Sequence, residues 1–299
     1  MAKNQQPDPK QGSIGHGGTV APPGTNKQFP TKHGSIRYWI SRADNAKATV
    51  VFLPGLTADH RLFELQTAYF CNHYNTLVWD PPGHGISRPF ALDFTLMDQA
   101  QWLYEILQLE AVTAPFLVGQ SMGGYVAQCL ISRYPKSVGG FVSIDSAPLQ
   151  RKYTTTLEIW GLKHCEPIYR LFSWNALLAS GTTGCAQTQY GQTLMNAMMN
   201  EYDKESYCAL AGHGSRMLGE AMAADLPYTI DCPALLLCGE LDGAGSAKRY
   251  NRRWAKDTGF PLVWIENAGH NANADDPRTV NRLIEQFIGQ VLQSQAVQN

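Results

Sequence analysis

The segment Gly119-Gln120-Ser121-Met122-Gly123 sets a serine between glycines where the apolar run Phe-Leu-Val, residues 116 to 118, gives way to a helical pattern. A serine in such a strand-to-helix turn is held in an unfavourable backbone conformation with its hydroxyl exposed. Its neighbours two positions away must then be small. Gly119, Gly123 and Gly124 meet that demand. A helix starting near Met122 also directs unpaired N–H groups and its positive end toward the serine oxygen, which favours a developing oxyanion. The chemistry within reach is nucleophilic attack by Ser121 on a carbonyl carbon.

A hydroxyl needs a base, and the base needs an orienting carboxylate. The loop Ile-Glu-Asn-Ala-Gly-His-Asn, residues 265 to 271, follows the last apolar run and presents His270 where a side chain can reach the serine turn. His33, His60, His73, His164 and His213 lie in no such loop and read as structural or solvated. His84 is a stronger rival, but it precedes Ser121 in a turn and suits hydrogen bonding within that turn. For the acid, Glu240 and Asp242 both follow the run Ala234 to Cys238. Asp242 is favoured because it sits beyond the strand beside Gly243, where a turn can direct its short carboxylate to the base. Asp145, at the end of the run Gly140 to Ile144, stays open as an alternative.

These residues must be carried by a scaffold, and the runs that precede them describe it. Thr49–Leu53, Thr76–Trp79, the run before Gly119, Gly140–Ile144, Ala234–Cys238 and Leu262–Ile265 are short and continuously apolar, as expected of strands covered on both faces. Ile36, Tyr38 and Ile40 alternate and predict a half-buried strand near one sheet edge. Helical patterns separate the runs, so the expected fold class is α/β, a mostly parallel sheet flanked by helices. In the closing helix Asp276 can cap, Pro277 suits the first turn, and Val280, Leu283, Ile284, Phe287, Ile288 and Val291 form one apolar face.

The interval between the Gly140 and Ala234 runs is about three times longer than one crossover needs, and a structureless loop of that length is improbable. It predicts a helical cap over residues 149–228, inserted into a core of residues 29–148 and 229–299. Within it, Leu194, Met195, Met198, Met199 and Tyr202 share a helical face. The stretch from Glu158 to Leu178, dense in Trp, Tyr, Phe and Leu, is expected mostly to pack onto the core, with a few side chains lining a pocket. Residues 1–28, rich in Gly, Pro, Gln and Asn, are expected to be a flexible tail with His16 solvated.

The chain of 299 residues has a net charge of -1, which offers no basic surface for nucleic acid. It has no apolar leader and no apolar run long enough for a membrane helix, so a soluble, cytoplasmic protein is expected. The seven cysteines are odd in number and scattered, without the close pairs of a metal or disulfide framework.

The order Ser121, Asp242, His270 on this strand-helix rhythm resembles the α/β-hydrolase fold family, over about residues 35 to 291. Asp-Pro-Pro-Gly-His-Gly-Ile-Ser, residues 80 to 87, is similar to the D-x-x-G-x-G-x-S turn of many members, and residues 268 to 277 resemble the family's histidine loop. The resemblance implies that the backbone N–H groups of Met122 and Leu56 form an oxyanion hole. Many members carry His-Gly where this chain has Pro54-Gly55. The implied activity is a serine hydrolase for small to medium, fairly apolar carboxylic esters or lactones, with no metal or organic cofactor and a small-molecule partner. The alternatives are a serine C–C bond hydrolase, in which Arg170 or Arg216 would hold a substrate carboxylate, and a slow-turnover ligand receptor on the same fold.

Overall fold

In the computed structural model, which describes residues 22–298, the expected strands appear at β2 (Gly34–Ser41), β3 (Thr49–Leu53), β4 (Asn75–Trp79), β5 (Phe116–Gln120), β6 (Gly140–Ile144), β7 (Ala234–Gly239) and β8 (Leu262–Ile265). With β1 (Thr25–Thr31) they form one eight-stranded sheet in the order β1-β2-β4-β3-β5-β6-β7-β8. The β1–β2 and β2–β4 pairs are antiparallel and every other pair is parallel.

Strand periodicity builds two cores, one on each face. Val50, Phe52, Val118 and Val142 pack with Phe63, Phe70, Val280 and Ile284 on one side, whereas Val51, Leu53, Leu117 and Phe141 pack with Leu103, Val126, Leu130 and Trp254 on the other. The first layer is built from α1 (Glu64–Phe70) and the closing helix, and the second from α2 (Leu96–Leu109), α3 (Met122–Arg133) and α9 (Ala247–Thr258).

Five helices occupy the interval between β6 and β7: α4 (Thr156–Lys163), α5 (Glu166–Leu171), α6 (Trp174–Gly181), α7 (Gln189–Met199) and α8 (Lys204–Ala223). Thr155, Ser173, Thr188 and Asp203 cap four of them, and Thr155 forms a reciprocal capping box with Glu158. Leu177, Met199, Tyr207, Cys208 and Leu210 give the insertion a small core of its own. The aromatic-rich stretch packs inward in larger part: Ile159 is buried against the main core and Leu177 within the insertion, with Leu162, Tyr169, Trp174 and Leu178 half-buried beside them. Trp160, Ile168, Leu171 and Phe172 are exposed.

The tail expected over residues 1–28 also needs correction. Residues 1–21, His16 among them, lie outside the described residues, but β1 begins at Thr25 and Lys27 Nζ reaches Glu110 at 2.9 Å. The polar sequence hid an edge strand, whose pairing with β2 supplies the ordering that its side chains do not. The chain closes with α10 (Ala272–Asp275) and α11 (Pro277–Gln298), and Asp276 accepts from the Thr279 N–H as a cap should. No helix among the described residues is long and apolar enough to cross a membrane.

Candidate active site

Ser121 stands between β5 and α3 with φ 48° and ψ -116°, a strained conformation for an L-residue. Its N–H donates to the Ile144 carbonyl at 2.9 Å, which fixes the turn to β6. The glycines are required by contact. A Cβ at Gly119 would lie 2.5 Å from the Gly123 carbonyl carbon, and one at Gly123 would overlap the Leu53 carbonyl.

His270 Nε2 lies 2.9 Å from Ser121 Oγ, and His270 Nδ1 lies 3.1 Å from both carboxylate oxygens of Asp242. The three residues, 149 and 28 positions apart in sequence, thus meet in one hydrogen-bonded line. The Asp242 carboxylate also accepts from the Ala244 N–H at 2.8 Å, so the turn that presents it also holds its orientation. Burial disfavours a charged imidazole at His270. The Asp242 hydrogen bond and the charges of Asp242 and Asp145 outweigh that, and they raise its pKa above the ordinary histidine value.

The rivals are occupied elsewhere. Glu240 is exposed at the end of β7. His84 Nδ1 faces the Pro82 carbonyl at 3.0 Å, within its own turn. Asp145 is buried with φ 48° and accepts from the Gly239 N–H at 2.6 Å and the Ala272 N–H at 3.0 Å, joining β7 to the histidine loop. Burial, together with the Asp242 charge, pushes its carboxyl well above the usual range. The Asp80 carboxylate is likewise committed elsewhere, accepting from the Ile86 N–H of its own turn at 2.7 Å and from the His60 N–H at 2.9 Å.

Leu56 and Met122 line the same cavity as Ser121, and neither N–H donates to a protein carbonyl among the described residues. The Pro54-Gly55-Leu56 loop approaches the serine closely, because a Cβ on Gly55 would lie 3.0 Å from Ser121 Cβ and overlap Gln120 Oε1. Two cavities meet at Ser121 and His270. The first, of about 490 Å³, runs past Tyr125, Leu162, Leu218, Met222 and Tyr250 to Glu158. The second, of about 440 Å³, is lined by Tyr169, Phe172, Leu177, Tyr207 and Ala211. Neither lining contains Lys or Arg. Arg170 and Arg216 instead both face Glu166, Arg170 at 3.0 Å and Arg216 at 3.8 Å.

Two positioning residues escaped the sequence reading. Gln120, buried, donates from Nε2 to the His270 carbonyl at 2.7 Å and to Asn271 Oδ1 at 3.1 Å, tying the serine strand to the histidine loop. The Asp275 carboxylate accepts from the Gly269 N–H at 2.8 Å and from the N–H groups of Gln187 and Thr188 at 3.0 and 2.8 Å. It therefore holds the histidine loop and the start of α7 together. Ligand atoms of Asp145, Cys238 and Asp242 lie within 4.8 Å of one another, but both carboxylates are already engaged by N–H donors and burial pushes the Cys238 thiol far up.

A profile of the alpha/beta hydrolase family matches residues 50–283. The chain is 25% identical to an (E)-2-((N-methylformamido)methylene)succinate hydrolase of Acinetobacter baylyi, over 80% of this chain and 89% of that one. It is 23% identical to a monoacylglycerol lipase of Xenopus laevis, over 81% and 75%. The crystal structure of the enol-lactonase from Burkholderia xenovorans superposes with a TM-score of 0.72 at 19% identity, covering 88% of this chain and all of that one. With the profile spanning the sheet from β3 to the closing helix, and hydrolases among the relatives, the chain belongs to the alpha/beta hydrolase family.

Proposed function

We propose that the protein is a serine hydrolase of neutral, small to medium, fairly apolar carboxylic esters or lactones. The observation that carries this reading is the 2.9 Å contact of His270 Nε2 with Ser121 Oγ at the junction of two cavities lined by no Lys or Arg. Ser121 Oγ attacks the carbonyl carbon as its proton passes to His270 Nε2. Asp242 keeps the proton on Nδ1 and stabilises the imidazolium, and the Leu56 and Met122 N–H groups receive the oxyanion. His270 then protonates the leaving alkoxide, and a water activated by the same imidazole releases the acid from Ser121.

The two cavities give the acyl and alcohol portions separate homes, each within the size range of small-ligand sites. The five-helix insertion acts as the cap that closes them. The succinate named for the Acinetobacter relative carries carboxylates; with Arg170 and Arg216 facing Glu166, a dianionic substrate would find no counter-charge in these walls. The neutral ester is therefore preferred to the C–C hydrolase reading.

The test is hydrolysis of p-nitrophenyl esters from acetate to decanoate by the wild type and S121A. A loss of several orders of magnitude in the variant is expected, with a chain-length optimum that sizes the cavities. Equal rates in the two proteins would overturn the reading and favour a binding protein.

A further inference from the structure

Behind the oxyanion loop lies a third, much smaller cavity of about 10 Å³, bordered by Pro54, Gly55, Leu56 and Met122 on the side of the reaction centre. Trp79 at the end of β4, His84 in the following turn and His213 in α8 also line it. All three are buried, and Trp79 Nε1, His84 Nε2 and His213 Nε2 have no hydrogen-bond partner among the described residues. Three residues that line one cavity thus each carry an unpartnered nitrogen, which would be costly to leave unsatisfied.

Their polarities can be worked out. His84 Nδ1 faces the Pro82 carbonyl at 3.0 Å, which can only accept, so the proton is on Nδ1 and Nε2 is a bare acceptor. His213 Nδ1 lies 3.1 Å from Arg216 Nη2, which can only donate, so Nδ1 is bare and Nε2 carries the proton. Trp79 Nε1–H is a donor. Burial holds both imidazoles neutral at ordinary pH, with the pKa of each lowered to about 4.

We propose that this cavity is a binding site for one water molecule, which accepts from Trp79 Nε1 and His213 Nε2, donates to His84 Nε2, and braces the oxyanion loop from behind. Two donors and one acceptor match the bonding capacity of water, and the volume is that of a single such molecule. An anion would face the His84 lone pair, and a cation would face two N–H groups. The site joins the core to the insertion, because His213 precedes Gly214, where a Cβ would overlap Leu56 Cδ1. The bound water thus fixes α8 against the loop that carries the Leu56 N–H.

Two measurements test the site whatever the substrate proves to be. A crystal structure at 1.5 Å or better should show one peak within hydrogen-bonding distance of all three nitrogens. Imidazole 15N NMR at pH 7 should show opposite tautomers, protonated at Nδ1 for His84 and at Nε2 for His213. A cavity without density, a heavier anomalous scatterer there in bromide, or identical tautomers would overturn the proposal. H213F should lose the peak and lower kcat for the best ester roughly 10-fold with KM nearly unchanged, as loosening an oxyanion donor requires. That last readout rests on the esterase reading. Loss of the peak with kcat unaltered would refute the bracing role alone.

Discussion

Replacing Asp242 with Asn tests the hydrogen-bonded line most sharply, since it preserves shape and removes charge. In the wild type the carboxylate meets Nδ1 at 3.1 Å, and Asp242 is buried. With charge centres about 4 Å apart and an effective dielectric near 20, the imidazolium formed during attack is stabilised by about 4 kcal/mol. Losing that interaction corresponds to roughly a 10³-fold fall in kcat/KM, and an amide that stabilises the wrong tautomer can extend the fall to about 10⁴-fold. The pH profile carries a second signature. His270 acts as a base only when neutral, and its pKa is raised, so the acid limb of kcat/KM in the wild type lies above the ordinary histidine value. In D242N the hydrogen bond to a carboxylate and the Asp242 charge that offset burial are gone, and the limb must move to lower pH. The assay is kcat/KM for the best p-nitrophenyl ester between pH 5 and 9, with background hydrolysis subtracted through S121A. A fall of less than 10-fold, or an acid limb that does not move, would refute the reasoning. An inactive D145N beside an active D242N would transfer the acid's role to Asp145.

Three further outcomes follow from contacts in the same region. Q120A leaves the His270 carbonyl and Asn271 Oδ1 without their buried donor, so chemical unfolding should show a loss of about 1–3 kcal/mol, together with a lower kcat at similar KM; unchanged stability would mean the two loops are held by other contacts. G123A drives a methyl group into the Leu53 carbonyl, and it should yield little folded protein by circular dichroism and thermal melting; a variant as stable as wild type would contradict the tight packing of α3 on β3. L218W fills the first cavity and L177W the second, so each should shorten the preferred chain on one side of the ester bond, read by paired series of acyl and alkyl lengths; identical profiles would show that the two cavities are not separate subsites.

The strands of the parallel sheet were legible because each is buried on both faces, which leaves little choice but a run of Val, Leu, Ile and Phe. β1 was not, because an edge strand exposed over most of its length, with Pro30 inside it, has the composition of a tail. Ser121 and His270 stand out through their turn chemistry, Ser121 between β5 and α3 and His270 in the loop after β8. The choice among Asp242, Glu240 and Asp145 depended on which turn faces the imidazole, a question that spacing alone answers only as a preference. Gln120 was silent for a different reason. The pattern leaves its position free, and its role arises from a loop 150 residues further along.

Asp275 bears on how such an enzyme can diversify. One carboxylate clasps both the histidine loop and the residues that open α7, and the Asn271 N–H adds a bond to the Cys185 carbonyl at 2.9 Å. The insertion is therefore not a single exchangeable module. Residues 156–181, which border both cavities, lie outside these bonds, so exchanging them should alter the cavity walls and leave the Asp275 clasp in place. A graft that crosses residues 185–188 would disturb the imidazole as well. Libraries aimed at new substrates have their natural seam just before Cys185.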